Sequence, residues 1–127
     1  GVYRTGDRTL SYSSAGQHPA YLVPSDRSIA NPLGVPALMI GAMPDPPYEV
    51  QHTVVAPGSI LYLFSDGVCE IETKAGQQWS MSDFLPKLLE PAAPQMSEPE
   101  RLYQVVREAA RPGLFDDDFS LMALTFQ

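Results

Sequence analysis

The sequence predicts an α+β fold, because blocks with different hydrophobic periods follow one another along the chain. Short apolar runs with the strand period of two fill the first half. Two segments after Gly76 repeat apolar residues with the helical period, and the run Phe119–Phe126 returns to a strand pattern. Strands, then two helices, then a final strand is an order typical of α+β domains, with mostly antiparallel strands.

The N-terminal strands are predicted from β-forming residues on either side of turn residues. Residues 2–5 and 9–13 flank the dipeptide Gly6-Asp7, which indicates a β-hairpin. Residues 20–23, Ala-Tyr-Leu-Val, predict the next strand.

A proline-rich stretch, residues 24–47, separates these strands from the next pair. We expect it to be mostly loop, with one short strand at residues 37–40, where Ala-Leu-Met-Ile is apolar. Residues 49–55 and the strand that starts at Ile60 flank the turn Pro57-Gly58. That spacing predicts two adjacent antiparallel strands.

Two helices are predicted near residues 82–91 and 97–110. Ser82 and Asp83 can cap the first, which places Pro86 in its first turn, where a missing N–H does no harm. The second starts at Ser97, with Glu100 three residues later as a capping box. Its inward face is predicted to carry four apolar residues: Leu102, Val105, Val106 and Ala109.

Length and composition indicate one domain, residues 1–127, that looks like a piece of a larger one because it starts at Gly1 without a leader. A net charge of -7 argues against nucleic acid and anionic membranes as main partners. No apolar run approaches the roughly 18 residues of a membrane span. The single Cys69 cannot form an internal disulfide, so a cytoplasmic location is expected.

Asp66 is the first candidate functional residue, because it follows the apolar strand Ile60–Phe64 almost at once and precedes Gly67. A carboxylate at the end of a buried strand, followed by a glycine that allows a tight turn, is a common arrangement for an oxygen ligand of a metal. An ordinary Asp-Gly turn explains the same dipeptide.

A second acidic group, Asp116-Asp117-Asp118, stands just before the last predicted strand. Adjacent carboxylates repel one another unless they are solvated or neutralised, and a bound cation removes that cost. An exposed acidic loop is the alternative. Two acidic groups at strand ends together suggest an oxygen-ligand metal site at one sheet edge.

Two other side chains invite a catalytic interpretation. His18, in the turn Gly16-Gln17-His18-Pro19, could be a general acid or contact a phosphate, although a lone turn histidine is more often structural. Cys69 with His18 or His52 could suggest a thiol nucleophile, but a cysteine after a buried strand is usually a core residue.

Three motifs occur in a familiar order: Ser-Ala-Gly-Gln-His-Pro-Ala-Tyr-Leu from Ser14, Tyr-Leu-Phe-Ser-Asp-Gly-Val-Cys-Glu from Tyr62, and Asp-Asp-Phe-Ser-Leu from Asp117. The chain thereby resembles the C-terminal half of the metal-dependent PP2C-type phosphatases, and the bacterial RsbU/SpoIIE-like branch most of all. The resemblance covers the sequence from about Thr9 onward. It implies a PP2C-like β-sandwich flanked by helices.

The resemblance also implies a function: hydrolysis of phosphoserine or phosphothreonine proteins by water activated at a pair of Mn²⁺ or Mg²⁺ ions. By motif match, Asp66 and Asp117 correspond to metal-binding aspartates at the catalytic centre, and Asp118 lies beside the ligand. Asp116 replaces Asp117 if the register is off by one. The implied partner is a phosphorylated regulatory protein of the anti-sigma antagonist type, and a homodimer is a further possibility.

Two departures from the family pattern concern the site. The family usually has Gly-His-Pro, whereas Gln17 is inserted here before His18. The upstream acidic metal motifs of the family are absent, and Gly6-Asp7 lacks their context. The chain therefore carries at most half of a two-metal site, and we expect it to be inactive alone.

Two alternatives belong to other functional classes. The first is a phosphatase-like adaptor domain that binds a regulatory partner without hydrolysis, which the missing upstream acids favour. The second is an acidic β-rich interaction module whose carboxylates bind no metal. An acid pair in the residues that precede Gly1 in the natural protein would favour the phosphatase.

Overall fold

The computed structural model describes residues 1–34 and 37–127, which form nine strands and two helices. In chain order the elements are β1 (Val2–Arg4), β2 (Thr9–Tyr12), β3 (Ala20–Val23), β4 (Asn31–Leu33), β5 (Gln51–Val54), β6 (Ile60–Phe64), β7 (Ile71–Glu72), β8 (Gln78–Trp79), α1 (Met81–Leu88), α2 (Glu98–Ala109) and β9 (Leu121–Thr125). The predicted α+β class, with antiparallel sheets and two helices, is confirmed.

Two larger sheets and one short hairpin account for the strands of the described residues. The front sheet has the order β1-β2-β5, and the central sheet has the order β4-β3-β6-β9. All of their strand pairs are antiparallel. In the central sheet, Tyr62 of β6 lies between Tyr21 of β3 and Ala123 of β9, so the strand that leads to Asp66 is an inner strand.

The inner strands β3 and β6 of the central sheet are covered on both faces, and their side chains alternate between two cores. Leu22 and Leu61 pack with Leu10 of the front sheet in one apolar cluster. Tyr21 and Tyr62 face the opposite way and pack in a second cluster with residues of both helices, among them Phe84, Leu88, Leu102 and Val106. This period of two is what a strand buried on both sides requires. The layers are therefore front sheet, central sheet and helices.

The prediction for β5 and β6 was wrong in one respect. Pro57-Gly58 does not join two neighbouring strands of one sheet, because β5 pairs with β2 in the front sheet while β6 pairs with β3 and β9. After β5 the chain thus leaves the front sheet and enters the central sheet through this turn. A turn signal marks where the chain reverses, but it does not determine which strand becomes the partner.

The short strand predicted at residues 37–40 was also misplaced. These residues have no strand conformation, and the short strand lies earlier, at Asn31–Leu33. Pro32 is tolerated there because β4 is an edge strand of the central sheet, where a missing N–H need not break a ladder. Residues 35 and 36, within the predicted loop, lie outside the described part of the chain. The hairpin β7–β8 was not predicted.

The two helices occupy the predicted regions, but the details of α1 differ. Its N-cap is Ser80, whose amide donates to the carboxylate of Asp83 at 2.9 Å, so Asp83 is the third helical residue. Pro86 therefore lies beyond the first turn, where it cannot donate to the carbonyl of Ser82. Helix α2 begins as predicted, with the Ser97 hydroxyl accepting from the amide of Glu100 at 3.3 Å.

A buried ion network joins the helices to β6. The Glu98 carboxylate accepts hydrogen bonds from Arg27 at 2.5 Å, Arg101 at 2.9 Å and the Tyr62 hydroxyl at 2.9 Å. Burial alone would raise the pKa of Glu98, but the three donors outweigh it and hold the pKa below its ordinary 4.5. Burial, followed by the hydrogen bond to Glu98 and then the Glu98 charge, raises the pKa of Tyr62 to about 12.

Within residues 1–34 and 37–127, neither helix has the length or apolar character that a membrane crossing requires.

Candidate metal-binding site

Strand β6 ends at Phe64, and Asp66 follows it after the single residue Ser65. Asp66 starts a single 3-10 turn, Asp66–Val68, and its carbonyl accepts from the amides of Cys69 at 2.9 Å and Glu70 at 2.8 Å. Val68 and Cys69 are fully buried, so the turn is anchored in the core. Asp66 itself is exposed.

Ser65 fastens the acidic loop, residues 116–118, to the end of β6. Its hydroxyl donates to the carbonyl of Asp118 at 2.7 Å and accepts from the amide of Ser120 at 3.0 Å. Its amide donates to the carbonyl of Ser120 at 3.0 Å, which continues the pairing of β6 with β9 beyond the strands. The structure thus brings the two predicted acidic motifs together at one sheet edge.

Gly67 permits this close approach. A Cβ atom at Gly67 would lie 2.5 Å from the carbonyl oxygen of Asp118 and 3.1 Å from the carbonyl carbon of Asp117. Such distances are far shorter than van der Waals contact, so a larger residue here would displace the acidic loop. Sequence reasoning assigned no role to Ser65 and treated Gly67 only as a turn residue. Their contacts span more than fifty residues, and no local pattern indicates them.

The three acids of the loop have different surroundings. Asp116 forms an ion pair with Arg111 at 2.5 Å, and Arg111 also contacts Glu72 at 3.0 Å. The hydrogen bond and charge of Asp116, then the charge of Glu72, raise the pKa of Arg111. This pair engages Asp116, which the sequence left as an alternative ligand.

Asp117 and Asp118 are both exposed. One carboxylate oxygen of Asp117, Oδ1, accepts from the amide of Asp118 at 2.7 Å. The other oxygen has no protein donor among the described contacts. Such a carboxylate keeps lone pairs for a further ligand.

The donor set fits a hard divalent cation in kind, because carboxylate oxygens are the ligands that Mg²⁺ and Mn²⁺ prefer. The number of donor side chains, however, is too small to hold such a cation. In the described part of the chain, no group of three or more His, Cys, Asp or Glu side chains is placed to hold one ion. Asp66, Asp117 and Asp118 therefore do not form a complete ligand set by themselves in the described part of the chain.

An open groove runs beside Asp66. One cavity of about 420 Å³ adjoins another of about 440 Å³ that includes Asp66 itself. Both are lined by the turn Gln17-His18-Pro19 together with Phe64 and Ser65. His18 is exposed in this groove, so the turn histidine lies on the same side of the molecule as the acids.

The thiol interpretation has no structural support. Cys69 is fully buried, and burial, with smaller contributions from Glu70 and Asp66, raises its pKa to about 11. A thiol with that pKa is protonated at neutral pH and is a poor nucleophile. His52 lies on β5 in the front sheet, where its Nδ1 is 2.8 Å from the Ser11 hydroxyl.

Comparison with known proteins gives one family and several structures. The family model described as Stage II sporulation protein E (SpoIIE) matches residues 1–127, the whole chain. No curated protein sequence matches the chain significantly.

Three solved structures share the fold. The SiaA-PP2C domain of Pseudomonas aeruginosa is 21% identical, with a TM-score of 0.75 over 94% of this chain and 47% of that one. The RsbU and RsbW domains of a Mycobacterium tuberculosis protein are 18% identical, with a TM-score of 0.69 over 98% of this chain and 34% of that one. The Mn-presoaked phosphatase domain of SpoIIE from Bacillus subtilis is 17% identical, with a TM-score of 0.68 over 98% of this chain and 54% of that one. This chain thus spans about half, or less, of each of these structures.

Proposed function

Because this chain belongs to the Stage II sporulation protein E (SpoIIE) family of PP2C-type phosphatase domains, we propose that it is the C-terminal part of a protein-serine/threonine phosphatase domain. The RsbU/SpoIIE-like resemblance and the PP2C-like sandwich flanked by helices, both expected from the sequence, are confirmed. The substrate we propose is a phosphorylated regulatory protein in bacterial signalling.

One observation carries the proposal: the backbone contact between Gly67 and residues 117–118 joins the two acidic motifs of the resemblance at one sheet edge. In this proposal Asp66 and Asp117 are metal ligands at the catalytic centre, and Asp118 supports them. A pair of Mn²⁺ or Mg²⁺ ions would supply neutralisation of the phosphate oxygens and a water molecule of lowered pKa. The remaining ligands would come from outside this chain.

The contribution of this chain is to position the two proposed ligands, as follows. Buried Val68 and Cys69 fix the turn that presents Asp66, and Ser65 fixes the loop that presents Asp117. The adjoining groove is open along Gln17, His18 and Ser65, and is large enough for a phosphoseryl side chain and its neighbours to reach Asp66. These features support a site for an exposed segment of a protein substrate.

The test is the substitution Asp66→Asn in the full-length natural protein, assayed for Mn²⁺-dependent dephosphorylation of a phosphoserine protein. We expect turnover to fall by at least about a hundredfold, since a lost ligand removes the ion that a catalytic step needs. Asp45→Asn, the same change on an exposed loop, is the matched control and should leave turnover unchanged. Full turnover by Asp66→Asn would remove Asp66 from the proposed site.

A second candidate function is the adaptor domain, and one observation favours it. Leu38, Met39 and Ile40 are 50%, 65% and 82% exposed and form a contiguous apolar run. Exposed apolar runs of this kind often bind other proteins. Retained partner binding by Asp66→Asn, together with an absence of phosphatase activity in the unmodified full-length protein, would favour the adaptor.

A further inference from the structure

Two aromatic rings bracket the acidic loop. Phe115 precedes Asp116 and Phe119 follows Asp118, and the two rings stack with centroids 5.2 Å apart and planes at 23°. The three acids therefore lie in a short loop, and the rings at its two ends stack against each other. Phe115 and Phe119 are both partly buried against the helical core.

Helix α2 contacts both rings through one residue. Tyr103 meets Phe115 edge-on at 6.1 Å and Phe119 edge-on at 5.3 Å. One turn later, the Arg107 guanidinium lies 4.7 Å from the centre of the Phe115 ring and donates to the carbonyl of Gly113 at 2.8 Å. We call Tyr103, Phe115 and Phe119 the aromatic clamp.

The helix that bears Tyr103 is itself fixed. Leu102 and Val106, on the face of α2 that adjoins Tyr103, are fully buried in the core. Its first residue, Glu98, holds Arg27 and Tyr62, and Tyr62 lies on β6 four residues before Asp66. Both acidic motifs are therefore connected to helix α2 by contacts, one through β6 and the other through the aromatic clamp.

We propose that Tyr103 is a positioning residue: through the aromatic clamp it sets where the acidic loop stands relative to Asp66, and so sets the affinity of the proposed site for divalent cations. This inference rests on the proposed function. Tyr103 touches none of the acids, so its effect passes through Phe115 and Phe119. Tyr103 is 45% exposed, so its ring can be removed without emptying the core.

The first test compares Tyr103→Ala with Tyr103→Phe in the full-length protein, by titrating phosphatase activity with MnCl₂. We expect Tyr103→Ala to raise the half-activating Mn²⁺ concentration on the order of fivefold, the scale of two lost ring contacts. Saturating Mn²⁺ should restore turnover, with an unchanged KM for the phosphoprotein. Tyr103→Phe keeps the ring and should behave as the unmodified protein. Gln104→Ala, on the exposed face of the same helix, is the matched control.

The second test does not depend on activity. Amide hydrogen exchange at Ser65 and Ser120, whose amides join β6 to the acidic loop, should accelerate in metal-free Tyr103→Ala but not in Tyr103→Phe. A merely structural role would lower the melting temperature while leaving the Mn²⁺ dependence unchanged, and that result would overturn the inference. Unchanged exchange at both amides would also overturn it. If the unmodified protein shows no Mn²⁺ dependence, the proposed function fails, and the exchange rates alone decide whether the clamp positions the loop.

Discussion

The hydroxyl of Ser65 donates a 2.7 Å hydrogen bond to the carbonyl oxygen of Asp118, across 53 positions of sequence. It accepts from the amide of Ser120 as well, so one small side chain connects the end of an inner strand to the loop that carries three acids. The position of the acidic loop relative to β6 therefore depends on Ser65, which carries no charge and is not a proposed metal ligand.

Ser65→Ala tests this connection. Both hydrogen bonds of the hydroxyl are lost, and each is worth about 0.5–1.5 kcal/mol, so we expect the free energy of unfolding to fall by about 1–3 kcal/mol. The acidic loop should loosen, and Mn²⁺ binding by the full-length protein should weaken in calorimetric titration. Ser13→Ala, an exposed serine near β2, should change neither quantity. Equal Mn²⁺ affinity in both variants would contradict the role of Ser65.

Gly67→Ala should be more damaging than its small size suggests. The added methyl group would meet the backbone of Asp118 at 2.5 Å, and backbone cannot rotate away as a side chain can. Overpacking of this kind costs about 1–3 kcal/mol, measurable by urea denaturation. Gly6→Ala is the matched control, because a methyl group there would meet no atom within 4 Å. Similar losses in the two variants would mean that the close approach at Gly67 is not tight.

Glu98→Gln should alter the dependence of stability on pH. The pKa of Glu98 lies below its ordinary 4.5 in the fold, so between the two values the unfolded state binds more protons. Its contribution is therefore present above pH 4.5 and is lost as the pH falls through the lowered folded value. We expect the variant to lose about 3 kcal/mol at pH 7, since Arg27 and Arg101 keep their charges without a counterion.

Urea denaturation between pH 7 and pH 3 checks this prediction. The unmodified protein should lose stability more steeply below pH 4.5 than Glu98→Gln does. Glu108→Gln, an exposed glutamate on the same helix, should reproduce the unmodified curve. Parallel curves for the unmodified protein and Glu98→Gln would show that this carboxylate does not carry the acid sensitivity.

The 127 residues by themselves should bind Mn²⁺ weakly and show no measurable phosphatase turnover. Two bridged ions roughly 3.5–4 Å apart need ligands on both sides, and in the described part of this chain no three His, Cys, Asp or Glu side chains are placed to hold one ion. Calorimetric titration with MnCl₂ and a phosphoserine-protein assay measure the two quantities. Robust turnover by the isolated chain would contradict the half-site interpretation.

Those parts of the fold that rest on local patterns were predictable from the sequence. Strand β3 and helix α2 lie where the apolar period and the Ser97 cap placed them. The pairing of β5 with β2 was not predictable, because it depends on which sheet has an open edge. The first-turn prediction for Pro86 was wrong because the N-cap is Ser80, which has Asp83 three residues later in a capping box, and not Ser82.

The residues of the candidate site also fall into those that the sequence indicated and those that it did not. Asp66 was singled out because it follows an apolar strand, and Asp117 because it stands just before one and matches the family motif; the fold brings their two motifs together. Ser65, Tyr103 and Arg111 were missed, because their contacts with the acidic loop and its flanking rings are made in the folded protein only.

The network around Glu98 has a consequence for protein engineering. One carboxylate accepts hydrogen bonds from two arginines and a tyrosine, so its loss leaves three donor side chains to be accommodated together. Single changes at Glu98, Arg27 or Arg101 should combine non-additively, with a double-mutant coupling energy of about 0.5–3 kcal/mol. In a randomised library, we expect viable sequences without Glu98 to have replaced both arginines by apolar residues in the same clone. Selection one position at a time would miss them.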